Sequence, residues 1–588
     1  MCGILGFYSF ENKPYKSLEK SLDFLKSRGP DALGIWEDEY VYLGHRRLSI
    51  IDLDERSNQP MFSNCNRYII VFNGEIYNYQ ELRNELKDYN FNTKSDTEVL
   101  LALYSIYKEK MLVKLKGMFS FIIWDKIEKI SFVARDAYGI KPLYIGKLNN
   151  GLLLSSQVSS IIASGLVNVK KCKEGTKGFA MLGSVPEPFT WYENIKSLKA
   201  GHYLIIRNNK IEYEKEWFNI SNIWINSFNK HRAIIPENIL KLKVRDLLLE
   251  SVSRHLIADV PVGVFLSGGI DSGVLSALMV ECGARDITGI TISYDEFEGK
   301  DKDESSRAKL LADSYGINHH VRVVKKKEFL EDLPIIMRNM DQPTVDGINT
   351  WYASKAASEL GLKVVVSGVG GDELFYGYDI FNELPPIVNK FNFFKNLPLY
   401  EVITNTLFYL ISLYKKNNRW KFAGNWLKTI EGAWWLRRSI RSPDENPYVI
   451  KNFSPKKYLK KLKVETTFEH KLSLAMIESK MYLKNQLLRD SDWASMSHSI
   501  ELRTPLVDRT LLISLEKYLY SLTYYSNKKI LASSPVKPLP IEILNSKKTG
   551  FGIPIKEWLG IEENANNQLF HSLWTKKIVD MYNSKSYE

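Results

Sequence analysis

At 588 residues the chain exceeds what one hydrophobic core organises, so two or three domains are expected. Apolar residues make up 44% and charged residues 25%, the balance of an ordinary globular protein. The richest apolar patch, Leu407 to Tyr414, is broken by aromatics and runs into lysines, which excludes a membrane span, and no membrane partner is expected. The net charge of +12 comes from lysines spread along the chain in short clusters, so solvated faces are expected and nucleic acid is not.

The chain starts Met1-Cys2-Gly3, with no basic region followed by an apolar one, so a secretory signal is not expected. Four scattered cysteines, Cys2, Cys65, Cys172 and Cys282, form no CxxC pair. That argues against a disulfide framework or zinc site and fits a cytoplasmic protein. Loss of Met1 would put the Cys2 thiol and a free α-amine on one residue, the pairing an N-terminal nucleophile needs.

Residues 1–210 read as a strand-rich domain with a few helices. Apolar runs at Tyr40–Asp52, Tyr68–Glu75, Gly117–Asp125, Lys129–Asp136, Leu143–Lys147 and Gly151–Ser155 predict strands. Leu18–Lys26 and Ser95–Lys108 carry helical patterns, the second capped by Ser95 or Asp96. Such a mixture predicts layered α+β packing. The polar clusters His45–Ser49, Asn73–Asn78 and Ser95–Glu98 supply an Arg, two acids and an Asn beside a Gly. That set suits a free amino acid, with an Arg fork for the carboxylate and acids for the ammonium. An Asn side chain beside a Gly N–H is an oxyanion hole.

The strings MCGILGF, RGPDALG, GHRRLSIID, FNGEIYN, SDTEV and RDAYGIKPLY resemble, in order, the class II glutamine amidotransferase domain of the asparagine synthetase B family. The resemblance implies an αββα N-terminal-nucleophile sandwich that binds glutamine. It implies Cys2 as nucleophile and Asn73 and Gly74 as oxyanion hole, with Arg47, Asn73, Glu75 and Asp96 holding glutamine. Arg28 and Asp31 are read as structural supports.

Residues 211–240 are polar and read as a connector, with Pro236 preceding a helix. Residues 241–588 form the second domain. Val260–Leu266 is an apolar run followed by Ser267-Gly268-Gly269-Ile270-Asp271-Ser272 and then by helical periodicity. A strand, a Gly-rich turn and a helix N-terminus make a phosphate cradle. No Gly-Lys follows, so this is not a Walker loop. It resembles the pyrophosphate loop of the ATP pyrophosphatase (PP-loop) group, which cleaves ATP to AMP and pyrophosphate. Strands at Ile287–Ser293, His319–Val324 and Lys363–Ser367 alternate with helices at Asp303–Tyr315, Glu328–Met340 and Tyr352–Leu360. This predicts an α/β doubly wound parallel sheet. From 380 onward the pattern is helical.

Leu266, Ser267, Gly268, Gly269, Asp271, Ser272, Ile292, Ser367, Gly368 and Asp372 are the expected ATP set, with Asp271 and Asp372 as Mg²⁺ ligands. NQLLRDSDWASMSHSIELRTPLVD and KKTGFGIPIKEWL also resemble the family's synthetase domain. They imply Lys548 as the cation for departing pyrophosphate, with Lys547 as possible substitute. Arg503 and Asp508 read as structural or acceptor-facing.

The implied reaction strips ammonia from glutamine and transfers it to an adenylated small carboxylate, by family default aspartate, in a possible homodimer. Two departures bear on the acceptor. Val369 stands where asparagine-forming members often carry Glu, and Tyr376 where small residues are usual. DQPTVDGINTWYASKAA also looks like surface-polysaccharide members linked with uronic-acid amidation, which is the alternative acceptor. A tRNA-modifying PP-loop enzyme would share SGGIDS but has no need of Cys2.

Overall fold

The computed structural model describes residues 2–585 apart from 10–12, 301, 395, 416, 443–453, 463, 465, 467–468, 526–527, 547–551 and 561–566. The N-terminal part is a sandwich of two six-stranded sheets. In spatial order, one runs Ile195–Ser197, Tyr144–Leu148, Gly151–Ser155, Gly3–Ser9, Val41–Arg47 and Ala32–Glu37. The other runs Lys210–Glu216, His202–Arg207, Ile130–Arg135, Gly117–Asp125, Tyr68–Ile76 and Met61–Phe62.

Strand alternation assigns the layers. Ile69 and Val71 point into the inter-sheet core with Ile4, Leu43 and Ile122. Ile70 and Phe72 point the other way, onto the helix Asp96–Tyr107. Helices Tyr15–Asp23 and Val158–Ala163 cover the opposite sheet through Leu18, Leu22 and Ile161. The result is the αββα order expected. Burial on both faces explains why Tyr68–Phe72 reads as an unbroken apolar run.

A strand and a helix stand where the sequence reading places a connector. Lys210–Glu216, expected to lie mostly in the connector, is an exposed edge strand paired with His202–Arg207. Its Lys/Glu alternation has no apolar face to betray it, and such charges protect an edge. The rest of the connector holds a helix, Ile220–Lys230, that buries Trp224 in the core of the second part. Pro236 then precedes the helix Glu237–His255.

The second part is built on a five-stranded parallel sheet ordered Asn318–Val324, Thr288–Tyr294, Val262–Phe265, Val364–Val366 and Glu501–Arg503. The order reverses between Val262–Phe265 and Val364–Val366, which makes the ends of those two strands the switch point where such sheets bind ligands. Helices Ile270–Glu281 and Ser305–Tyr315 lie on one face. Lys326–Asn339 and Ile348–Glu359 lie on the other. Helical structure follows from 380 onward, interrupted by Glu501–Arg503. Among the described residues no helix is long and apolar enough to cross a membrane.

Buried ion pairs join the two parts. Arg28, fully buried, donates from Nε to the Cys2 carbonyl at 3.1 Å. Its Nη1 and Nη2 form a fork on Asp492 at 2.7 and 3.2 Å. Lys141 approaches the same carboxylate at 3.8 Å. Outside the buried set, an exposed pair of Asp31 with Lys363 at 2.8 Å also links the two parts. Asp492→Ala would strand the buried Arg28 guanidinium without its carboxylate partner. We expect a loss of about 3–5 kcal/mol, read as a lower Tm in thermal unfolding; an unchanged Tm would count against this joint.

Candidate active sites

Cys2 is buried at the head of strand Gly3–Ser9, and its backbone N–H donates to Asn73 Oδ1 at 3.0 Å. Burial pushes the thiol up, while a chain amine, the Leu48 N–H and Arg47 pull it down. Asn73 and Glu75 both lie on strand Tyr68–Ile76. Between them, a Cβ on Gly74 would sit 2.1 Å from Met118 O, so only glycine fits. Arg47 ends the strand next to Gly3–Ser9. Its guanidinium is held by the carbonyls of Asp54 at 3.0 Å and Ile51 at 3.4 Å, and by Asn58 Oδ1 at 2.9 Å.

Ser95 caps the helix that Asp96 opens by accepting from Thr97 N–H at 3.0 Å, and Asp96 Oδ2 accepts from Ile76 N–H at 3.0 Å. Burial lifts Asp96 to about 6. Burial and the neighbouring Asp96 and Glu501 push Glu75 well above the carboxylate range, against the pull of Arg503. Asn73 Nδ2 and Glu75 Oε1 are buried with no hydrogen-bond partner among the described residues. Orphaned donors and acceptors are rare in native cores, and a ligand that completes them is one explanation. The six residues expected for glutamine, including Cys2, thus fall into one neighbourhood. So does Arg503, which reaches Glu75 Oε2 at 3.2 Å from the other part of the chain.

At the switch point, the loop after Val262–Phe265 turns through Gly268 (φ 65°) into Ile270–Glu281. Ser272 Oγ ties it back, accepting from Ser267 N–H at 3.2 Å and donating to Gly269 O at 3.2 Å. Leu266 is a buried core residue whose N–H donates to Ile290 O at 2.8 Å. The ladder between Val262–Phe265 and Thr288–Tyr294 ends at the Phe265–Ile290 pair. The Ile292 side chain is buried in the core, so its backbone is what it offers a ligand. Ser367 N–H donates to Arg503 O at 2.8 Å. Gly368 lets the two loops meet, since a Cβ there would stand 2.8 Å from Asp271 Cβ.

Asp271 and Asp372 converge on the ammonium of Lys528, which bonds Asp271 Oδ2 and lies 2.6 Å from Asp372 Oδ1. The two carboxylates hold that lysine well above its ordinary pKa despite burial. Lys548 and Lys547 lie outside the described residues.

Family comparison settles what kind of enzyme carries these two neighbourhoods. Residues 1–218 match a glutamine amidotransferase domain model and 243–583 match an asparagine synthase model. The chain belongs to the asparagine synthase family. It is 31% identical over 605 residues to asparagine synthetase [glutamine-hydrolyzing] 1 of Bacillus subtilis (strain 168), covering 100% of this chain and 92% of that one. It is 26% identical over 612 residues to asparagine synthetase [glutamine-hydrolyzing] 3 of the same organism, covering 99% and 93%. A putative asparagine synthetase [glutamine-hydrolyzing] 2 of Methanocaldococcus jannaschii is 33% identical over 401 residues, covering 64% of this chain and 76% of that one. The protein is therefore a glutamine-dependent, ATP-consuming amidotransferase ligase of asparagine synthase type.

Within this synthase-type enzyme, Tyr376 is explained by its backbone. Its φ of 56° lies in the left-handed region, which favours small residues; burial and an Oη–Leu519 O hydrogen bond of 3.1 Å hold it there. Asp508 is structural: it caps Arg509–Leu515, accepting from Leu511 N–H at 3.0 Å, and pairs with Arg254 at 3.3 Å. Arg503 is a structural joint. Two residues escaped sequence reasoning. Lys528 sits in a lysine-dotted stretch with nothing to single it out. Glu373 follows Asp372, is fully buried and accepts from Tyr378 Oη at 2.8 Å. Burial and the nearby Asp372 and Glu478 raise it to about 8.

The raised pKa of Asp96 has a definite sign. A carboxyl that binds its proton more tightly when folded lowers stability as pH rises through about 4 to 6, and the deficit persists above. Asp96→Asn removes it, so we expect a higher Tm than wild type at about pH 8 and convergence near pH 4, by thermal unfolding. Glutamine KM should rise in the same variant. A lower Tm at about pH 8 would contradict the assignment.

Proposed function

We propose that Cys2 Sγ attacks the side-chain amide carbon of glutamine. Asn73 Nδ2 and the Gly74 N–H then stabilise the oxyanion, Arg47 holds the carboxylate, and Glu75 with Asp96 holds the ammonium. Ammonia leaves, and water releases glutamate from the thioester. The orphaned Asn73 Nδ2 and Glu75 Oε1 support this reading, since glutamine offers both a partner.

In the second site the Ser267–Ser272 loop and Ser367–Asp372 bind the ATP phosphates. An acceptor carboxylate oxygen attacks the α-phosphorus, pyrophosphate departs, and ammonia displaces AMP to form the amide. The observation that carries this is the convergence of Asp271 and Asp372 on a single cation, Lys528. Two carboxylates facing one point are hard oxygen donors suited to Mg²⁺, which would neutralise phosphate charge there. Lys528, and Lys548 by resemblance, would stabilise charge on departing pyrophosphate.

The acceptor we propose is aspartate, the substrate that fits the relatives' name, in a cytoplasmic enzyme. A second reading, a uronic-acid sugar, is favoured by a specific feature. Val369 brings no charge to the loop, and a cavity of about 340 Å³ lies beside Trp434, Arg437, Arg438, Ser439, Tyr482 and His571. Arg438 packs against the rings of Tyr378 and Tyr482 at 4.7 and 4.1 Å. Tyr378 in turn bonds Glu373, beside Asp372. Aromatic walls and guanidinium groups suit an anionic ring.

Pyrophosphate release from ATP with glutamine, comparing aspartate with uronic acids, separates the two readings. Release with aspartate is expected, and release only with a sugar acid would overturn it. Cys2→Ala should abolish glutamine-dependent amidation and leave ammonia-dependent amidation intact; equal loss of both would contradict two separate sites.

A further inference from the structure

The helix Ile380–Phe394 and the helix Tyr400–Tyr414 form a hairpin on the second part of the chain. One side of the second helix packs inward: Phe408 stacks on Trp420 at 6.0 Å and meets Phe391 at 5.8 Å. The other side is apolar too. Ile403, Leu407, Leu410 and Tyr414 follow a helical stripe, and with Phe393 and Leu399 at the hairpin tip each is more than half exposed. A surface helix ordinarily turns polar residues outward, and contiguous exposed apolar surface marks an interaction site.

The charge around this face is mainly basic. Among the described residues of 380–421 the basic side chains are Lys390, Lys415, Arg419 and Lys421, and the acids are Glu383 and Glu401. Both acids have basic partners, Glu401 in Lys428 at 2.6 Å and Glu383 in Arg437 at 3.8 Å. A second copy of this face would set like charges against each other, which opposes self-association. An apolar stripe with Lys390, Lys415 and Lys421 near its ends instead matches the boundary of an anionic bilayer, where side chains enter the acyl region and ammonium groups meet lipid phosphates. The helix has 15 residues, about 22 Å of length, short of the ~30 Å hydrocarbon core. A helix of this length is too short to cross a bilayer, and an amphipathic surface position is the geometry open to it.

We propose that the outward face of this hairpin docks the enzyme on an anionic lipid surface. The proposal is independent of the acceptor.

The test is cosedimentation of the full-length protein with vesicles of phosphatidylcholine alone and of phosphatidylcholine mixed with phosphatidylglycerol. We expect binding at least about tenfold stronger on the anionic vesicles, weakened by salt. The triple variant Ile403→Ser, Leu407→Ser, Leu410→Ser should lose binding while keeping glutamine hydrolysis and its circular dichroism spectrum. Lys415→Glu with Lys421→Glu should lose the preference for anionic vesicles. Failure of the wild-type protein to bind either vesicle would overturn the proposal. So would equal binding by the triple variant, or a dimer that the triple variant dissociates without any vesicle binding.

Discussion

A single guanidinium, Arg503, holds the two halves of this protein in register. It is fully buried, donates from Nε to Glu501 Oε1 at 2.7 Å, and from Nη1 to the carbonyls of His255 and Ile257 at 2.7 Å. Nη2 crosses to Glu75 in the glutamine neighbourhood. Burying a charge is unfavourable unless its donors are met, and here four of the five N–H groups meet oxygens. The chain amine, Arg503 and Lys141 overcome burial and hold Glu501 down to about 2, while Glu75 is pushed up. The net effect is an ion pair on the synthetase side and, on the other, two buried carboxyls, Glu75 and Asp96, both raised by burial.

The same strand carries the constraint further. Glu501–Arg503 is the edge of the parallel sheet, and its carbonyl at Arg503 accepts from Ser367, the first residue of the second candidate nucleotide loop. One three-residue strand therefore touches both candidate sites. The fork of Arg28 on Asp492 adds a second bond, from the Cys2 carbonyl to the helix Arg489–Met496. These are short, buried, charge-assisted contacts, the kind that fix relative position.

How much of this was legible in the sequence follows from what each element buries. Gly117–Asp125 and Gly151–Ser155 are strands with the predicted boundaries because apolar runs bounded by turns leave little choice. Ser95, the SGGIDS loop and the alternation of strands and helices were equally legible, since capping, phosphate cradles and parallel sheets each need particular residues at particular spacing. Glu501–Arg503 was not, because its ends are charged and its burial is justified only by partners hundreds of residues away. Lys210–Glu216 hid for the opposite reason, being wet on both faces. The motifs singled out Cys2, Arg47, Asn73, Gly74, Glu75 and Asp96 one by one, and the fold brings these residues together. Lys528 was invisible because a lysine's meaning there depends on Asp271 and Asp372 meeting in space.

The most direct test of the account is glutamine hydrolysis by Arg503→Met, assayed without ATP or acceptor. Residue 503 belongs to the synthetase sheet, so an independent glutaminase half would be indifferent to it. The account predicts a raised glutamine KM and slower turnover in a variant that still folds. Wild-type glutamine turnover in that folded variant would contradict it.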